Sequence, residues 1–493
     1  MHKGLGQNLY HGLVLSASRN PEAVLVKSQQ GTLTYSQVVK QASSIGAYLK
    51  KEIGSGTRVG LLIPSIPECV PLLYGVIAAD LIGVPMNFLL QPQEQFKAMD
   101  LAGLSVVVGL KDMLEPLHSA PNVRFISVED LMTASAQEVV EVVNPIRGND
   151  DVALILFTSG TSSAAIKGVS LSHSNLLSNV SACKEVFQFT DKDCFLSVLP
   201  FFHCFALTVN LLLPTQVGAS IYMMPRFKPQ EVLQAIGSNQ VSIAALVPAM
   251  IKVFLQLKPE AELLKRVRLY ISGGEALGKA AAEAMLKRYG VVVAEGYGMT
   301  EAAPVLTANF RQEPGCLGGV GHPLPGVQIK IVSPEGDDLM PNQVGEVLFR
   351  SEGLMQGYFR MDDPYEGRLR NGWFHTGDLG FLTQDGALFL EGRLKDLIIS
   401  AGENISPKEI EEAALGWQAV QEACAFGIES ELRGEEPALA VSPALINQDE
   451  LRRHLRSVLA SYKVPKKIYC LDELPKSATG KVLKRMVRAQ CQG

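Results

Sequence analysis

No pair of cysteines in this chain has CxxC spacing. The eight, at 69, 183, 194, 204, 316, 424, 470 and 491, are scattered through 493 residues, which argues against a disulfide scaffold and against structural zinc. A surplus of positive charge is also missing. Lys and Arg total 45 against 50 Asp and Glu, a net charge of −5, so a coat for nucleic acid is excluded, although small anionic ligands are not. Long apolar runs are absent too. Met1-His2-Lys3-Gly4-Leu5-Gly6 leads into no core of the roughly 7 to 15 apolar residues that a secretory leader needs. The most apolar region, Val59 to Leu90, is broken by Pro64, Pro67, Glu68, Pro71, Asp80 and Pro85, whereas a membrane-spanning helix wants about 20 nearly uninterrupted apolar residues. These absences point to a cytoplasmic protein, with a weak peripheral membrane contact left open.

What is present is a large apolar endowment, 47% hydrophobic residues, enough for about three folding units at roughly 150 residues each. Short β-rich runs alternate with helical stretches over the first 300 residues: Arg58 to Ile63, Val152 to Phe157, Ala219 to Met223, Val241 to Val247, Arg268 to Ile271 and Val291 to Ala294. That alternation predicts an α/β fold with mostly parallel sheets covered by helices. From Gly318 to Glu391 the texture changes to brief strands at Gln328 to Val332, Glu346 to Arg350 and Ala387 to Leu390, separated by turns such as Gln384-Asp385-Gly386, as in a small antiparallel barrel or sheet. A last segment has its own helices, Pro407 to Leu415 and Gln448 to Ala460, and a strand, Ala423 to Ile428. The expected domains are therefore a large layered α/β domain with the small barrel, 1–394, and a smaller mobile α+β domain, 395–493. Residues 452 to 493 carry eleven Lys or Arg and only Asp472 and Glu473, a local charge of +9; this is either a solvated basic surface or one that faces phosphate.

Chemistry-bearing residues come in five clusters. The strand Val152 to Phe157 runs into Thr158-Ser159-Gly160-Thr161-Ser162-Ser163-Ala164-Ala165-Ile166-Lys167-Gly168, with a helix expected from about Ser172. Hydroxyls, exposed amides and one lysine near a helix start can hold phosphate, although Walker A spacing fails because Ile166 precedes Lys167. Glu295-Gly296-Tyr297-Gly298-Met299-Thr300-Glu301 offers an aromatic for stacking on a base and a carboxylate for Mg²⁺. Gly372-Trp373-Phe374-His375-Thr376-Gly377-Asp378, then Glu391-Gly392-Arg393-Leu394-Lys395-Asp396, then Pro475-Lys476-Ser477-Ala478-Thr479-Gly480-Lys481 complete the series.

In this order the clusters resemble the adenylate-forming superfamily, which includes acyl-CoA synthetases, the adenylation domains of peptide synthetases and firefly luciferase. The similarity covers essentially the whole chain. It implies that Thr158, Ser159, Gly160 and Thr161 with Lys167 form the phosphate loop, that Gly273, Gly274 and Glu275 form a strand-end turn against adenine, and that Tyr297 stacks on the adenine. Thr300 and Glu301 would meet the α-phosphate and Mg²⁺. Asp378 and Arg393 would hold the ribose hydroxyls, a division that suits a bidentate acceptor and a multiple donor. Lys481 would reach the carboxylate and α-phosphate. His203, in Leu199-Pro200-Phe201-Phe202-His203-Cys204, falls at the gate between acyl pocket and thiol tunnel; Lys395 falls at the hinge, and Gly402 on the segment that swings in for the second half-reaction. The phosphate loop departs from the family's Thr-Ser-Gly-Thr-Thr-Gly-x-Pro-Lys-Gly: Ser163 stands where Gly is usual, no Pro precedes Lys167, and there is one residue more. Weakened ATP affinity with retained activity is the expectation, because mobile loops tolerate insertion.

The resemblance implies ATP-dependent activation of a carboxylic acid, with Mg²⁺, to an acyl-adenylate, followed by transfer to CoA. Glu301-Ala302-Ala303-Pro304 is similar to the fatty acyl-CoA synthetase branch. A ligase that loads the phosphopantetheine of an acyl carrier protein is an alternative, as are a luciferase-like oxygenase and a non-catalytic relative with an altered loop. A homodimer also stays open.

Overall fold

The computed structural model describes residues 8–138, 148–158, 166–238, 240–312, 317–430, 432–476 and 482–492. The chain forms two compact units, Met1–Gln328 with Arg350–Trp373, and Ile329–Phe349 with Phe374–Gly493.

The first unit is built on two large sheets. In the nine-stranded sheet, Val24–Ser28, Ser220–Met223, Cys194–Ser197, Ile243–Leu246, Leu269–Ser272 and Val293–Gly298 run parallel, while Gly31–Thr34 at one edge and Val305–Ala308 and His322–Pro323 at the other are antiparallel. Strands such as Ile243–Leu246 and Leu269–Ser272 are buried at every position. Their largely apolar character follows from helices covering both faces of a parallel sheet. The seven-stranded sheet has the order Gly357–Tyr358, Lys167–Ser172, Val152–Thr158, Ile82–Pro85, Arg58–Leu62, Val106–Gly109, Arg124–Ser127. Its last five strands are parallel and its first two antiparallel additions.

Those additions correct one expectation from the sequence. Lys167 does not lie beside a helix start but opens a strand, and Thr158 pairs with it across a hairpin. The helix His173–Phe187 begins only after this strand. Ser172 caps it, accepting from Asn175 N while Asn175 Oδ1 accepts from Ser172 N in a reciprocal capping box.

The second unit holds the small antiparallel sheet, Gln328–Val332, Gly345–Arg350, Trp373–Leu382 and Leu388–Arg393, and a five-stranded sheet whose centre is the hairpin Glu422–Ser430 and Gly434–Ser442. Alternate residues of that hairpin enter two cores. Ala425, Leu439 and Val441 pack with Ile410, Leu451 and Leu455 from the helices Pro407–Leu415 and Gln448–Val458. Cys424, Phe426 and Ala440 pack with Val487 of the helix Lys484–Gln492 on the other face. The period-two pattern of a strand buried on both sides thus closes a small domain around itself. Among the described residues no helix is long and apolar enough to cross a membrane.

Candidate active site

In the first unit the nucleotide-type motifs sit at strand ends and the turns that follow. Leu269–Ser272 runs into the turn at Gly273, Gly274 and Glu275. Gly274 is at φ +87, and a Cβ on Gly273 would lie 3.0 Å from the Phe205 ring, so glycine is needed at the first for conformation and at the second for space. Glu295, 5% exposed on the next strand, fixes this turn by accepting from Leu277 N at 2.7 Å. Tyr297, half-buried, pairs with Thr307 on the antiparallel neighbour. Gly298 admits no side chain, because a Cβ there would lie 1.9 Å from Pro304 O.

That contact closes the tight turn holding Thr300 and Glu301, a 3-10 segment Thr300–Ala302. Asn179, from the helix His173–Phe187, clamps its far end: Nδ2 donates to Val305 O at 2.7 Å and Oδ1 accepts from Val305 N at 3.3 Å. Segment 353–358 lies against the turn, with Met355 N donating to Glu301 O at 2.8 Å. A Cβ on Gly353 would fall 2.7 Å from Ala302 O.

Here the structure brings together residues that the sequence left separate. The Tyr358 hydroxyl donates to Glu301 Oε1 at 2.7 Å. The Lys167 ammonium stands 5.0 Å above the Tyr358 ring and is ion-paired with Glu366. Lys167 and Glu301, the candidate phosphate lysine and candidate metal carboxylate, therefore share one aromatic side chain. Burial, and then the Glu301 carboxylate, push the Tyr358 phenol well above its ordinary pKa, so the hydroxyl remains a donor. Thr158, half-buried, stands directly across the hairpin from Lys167; Ser159, Gly160 and Thr161 lie outside the described residues. The sequence points to none of Tyr358, Glu366 and Asn179, and its Glu295–Glu301 cluster gives Glu295 no role. The one signal for Tyr358 was the preceding Gly357: its φ is +136 and a Cβ there would fall 2.6 Å from Pro364 Cβ, so the position requires glycine.

His203 precedes the short helix Cys204–Leu207, which passes into a π-helical turn, Thr208–Leu212, a form that concentrates at functional sites. Its ring lies 4.5 Å from that of Phe202, which contacts Phe88 edge-on at 5.3 Å. Water reaches His203, which is exposed, yet protein fills enough of the surrounding volume that desolvation lowers its pKa to about 4. It is a neutral imidazole at physiological pH. Adjacent Cys204 is buried and its pKa is pushed up to about 12, so it is a protonated thiol and a poor nucleophile.

The second unit holds the rest. Asp378 and Arg393 are partners across two antiparallel strands, with Arg393 Nε donating to Asp378 Oδ1 at 3.0 Å. Thr376 Oγ1 ties Asp378 N to the neighbouring strand, accepting from it at 3.0 Å and donating to Val347 O at 2.7 Å. Glu346 anchors the same strand, Trp373–Leu382, through Gly377 N at 3.1 Å and His375 Nδ1 at 2.8 Å. Lys395 is exposed in the 3-10 turn Leu394–Asp396. Gly402, at φ +85 beside Ala401 at +52, forms the two-residue turn of the hairpin Ile398–Ser400 and Glu403–Ile405; a left-handed turn accounts for glycine there. Lys481 lies outside the described residues. Of the basic stretch, Lys463, Lys476 and Lys484 are paired with Glu409, Glu422 and Glu411, which favours a solvated, internally neutralised surface for that part.

Among the described residues no three His, Cys, Asp or Glu side chains cluster as a metal cage. A single carboxylate, Glu301, instead fits Mg²⁺ that arrives on phosphates and takes only one or two protein ligands.

These features define an enzyme that handles a nucleotide on strand-end loops, and the chain belongs to the AMP-binding enzyme family: residues 14–359 match that family and residues 409–481 match the AMP-binding enzyme C-terminal domain. It is similar to the long-chain-fatty-acid–CoA ligase of Bacillus subtilis (strain 168), 30% identical over 95% of this chain and 92% of the relative. It is also similar to the feruloyl-CoA synthase of an Amycolatopsis species, 32% identical over 96% and 97%. Among solved structures, ATP-bound MatB of Rhodopseudomonas palustris matches with a TM-score of 0.92 and 28% identity over 99% of both chains.

Proposed function

We propose that the protein is an AMP-forming acid–thiol ligase acting on a fatty acid, with CoA as acceptor. The observation that carries the reading is the convergence of Lys167, Tyr358 and Glu301 beside the hairpin that bears Thr158, in a chain of this family. Relatives named for a long-chain fatty acid and for ferulate support an apolar carboxylic acid, and the Glu301-Ala302-Ala303-Pro304 sequence favours the fatty branch.

In the first step a carboxylate oxygen attacks the α-phosphorus of ATP, giving acyl-adenylate and pyrophosphate. Lys167 and the hairpin hold the phosphates. Thr300 donates to the α-phosphate, and Tyr297 stacks on adenine against the Gly273-Gly274-Glu275 turn. Asp378 accepts from the ribose hydroxyls while Arg393 holds Asp378 and donates alongside it. Mg²⁺, when bound, neutralises phosphate charge, and Glu301 is the residue that would hold it. Lys481 stabilises the charge that spreads over the phosphorus. Such catalysis is positioning and electrostatics.

In the second step the thiol attacks the activated carbonyl and AMP leaves. Residues 395–493 act as the mobile domain: rotation about Lys395 withdraws Lys481 and brings in Gly402. Neutral His203 gates the thiol's approach, and the protonated Cys204 takes no part as a nucleophile.

Carboxylate-dependent ATP–pyrophosphate exchange across fatty, aryl and amino acids tests the first step, with mass spectrometry of products formed with CoA or a holo carrier protein. Exchange with fatty acids and a CoA thioester are expected. No exchange with any acid would overturn the enzyme reading, and loading of the carrier alone would replace the acceptor.

A further inference from the structure

We propose that Tyr358 is a positioning residue that sets the Glu301 carboxylate for Mg²⁺ and seats the Lys167 ammonium on its ring, so that metal and phosphate are received in one prearranged geometry. The inference rests on the reading of Glu301 as the metal carboxylate.

Three observations build it. Tyr358 Oη donates to Glu301 Oε1 at 2.7 Å in a buried contact, and a carboxylate held at one oxygen by a fixed donor loses the rotational freedom that metal binding would otherwise have to remove. Lys167 Nζ lies 5.0 Å from the centroid of the same ring, within the range where a cation is attracted to a π face. The tyrosine itself is rigidly held. Its N–H donates to Pro364 O at 2.7 Å, its strand pairs with Lys167–Ser172 through Tyr358 and Val169, and Met355 N and Gly353 press the preceding residues onto the Glu301 turn. A purely structural tyrosine would need its hydroxyl satisfied by any acceptor. This one spends its only O–H on the carboxylate of the candidate metal site, with the phosphate-loop lysine over its face.

The two contacts can be separated by substitution. Tyr358→Phe keeps the ring and removes the donor; Tyr358→Leu removes both. Binding of ATP is measured by calorimetry without metal and with Mn²⁺, and ATP–pyrophosphate exchange is titrated with free Mg²⁺. For Tyr358→Phe the expected result is about a tenfold higher Mg²⁺ midpoint and an equally weakened Mn²⁺·ATP complex, with metal-free ATP binding unchanged and exchange restored at high Mg²⁺. Tyr358→Leu should also weaken metal-free ATP. An unchanged Mg²⁺ midpoint in Tyr358→Phe overturns the inference, as does equal weakening of ATP with and without metal. Glu301→Gln is the control on the underlying reading. If Glu301→Gln shifts the midpoint and Tyr358→Phe does not, only the role of Tyr358 falls; if Glu301→Gln leaves it unmoved, the metal assignment falls and the inference with it.

Discussion

Lys167 is occupied before ATP arrives, and the consequence is measurable. Its ammonium is ion-paired with Glu366, the two side chains being 18% and 28% exposed. Fully exposed pairs contribute about 0.2–1 kcal/mol; a pair this sheltered belongs at the upper end, about 1 kcal/mol. If Lys167 exchanges this carboxylate for a phosphate, the lost pair subtracts about 1 kcal/mol from ATP binding, or about fivefold in affinity. Glu366→Gln removes the competing charge while keeping the shape. The Tyr358 ring still seats the lysine, so Lys167 does not lose its location. The expected outcome is an ATP Kd about fivefold lower by calorimetry, a matching fall in the KM for ATP in pyrophosphate exchange, and little change in the KM for the acid. The pairing also offers a physical route to the weak ATP affinity expected from the altered loop. An unchanged or raised Kd for ATP in Glu366→Gln would mean that Lys167 does not exchange its carboxylate for phosphate.

Lys481→Ala should abolish adenylate formation while leaving thioester formation from supplied acyl-adenylate largely intact; equal loss of both, in stopped half-reactions, would count against a hinge at Lys395. His203 has a pKa of about 4 against an ordinary 6.5, so activity profiles should show no inflection from it between pH 6 and 8. For stability, the unfolded chain takes up that proton first, so the His203 contribution declines as pH falls from about 6.5 towards 4. Burial alone would raise the Asp193 carboxyl, but donors from Arg268, Thr190 N and Ser242 outweigh it and hold it below its ordinary range. Its stabilisation is therefore present above about pH 4 and lost as pH falls through the lowered value, and Arg268→Ala should cost about 2 kcal/mol at pH 7 in urea unfolding, with ATP binding unaffected. Gly298→Ala, whose Cβ would fall 1.9 Å from Pro304 O, should displace the Glu301 turn and lose exchange activity together with a lowered melting temperature.

Much of the fold was legible because burial leaves a periodic record. Gln328–Val332 and Pro407–Leu415 begin and end where the sequence places them, and the six parallel strands that the sequence names in the first unit are off by only a residue or two except at Val293–Gly298, which runs on into the motif itself; Val24–Ser28, Cys194–Ser197, Ile82–Pro85, Val106–Gly109 and Arg124–Ser127 are not among those named. The hairpin strand Lys167–Ser172 was missed although Val169 and Leu171 alternate with small and polar residues. A glycine- and serine-rich stretch next to a lysine reads as loop, and what makes it a strand is pairing on both sides, with the preceding strand Val152–Thr158 and with the sequence-distant Gly357–Tyr358, the second of which no local pattern reveals.

The site divides along the same line. Residues proposed to touch the nucleotide, such as Thr300, Asp378 and Arg393, stand in short motifs where neighbours in sequence act together, so spacing betrays them. The residues that hold these motifs in place come from elsewhere in the chain: Asn179 on the Thr300–Glu301 turn, Glu295 under the Gly273–Leu277 turn, Glu346 behind Asp378 and Tyr358 on Glu301. Each is a polar side chain set against a backbone or carboxylate partner that would be costly to leave unsatisfied when buried. That cost makes them more than supports. A substitution at any of them leaves a buried or part-buried group without its partner where a motif of the proposed site must be rigid, so its effect should fall on the orientation of the motif residue, and on kcat, before it falls on global stability.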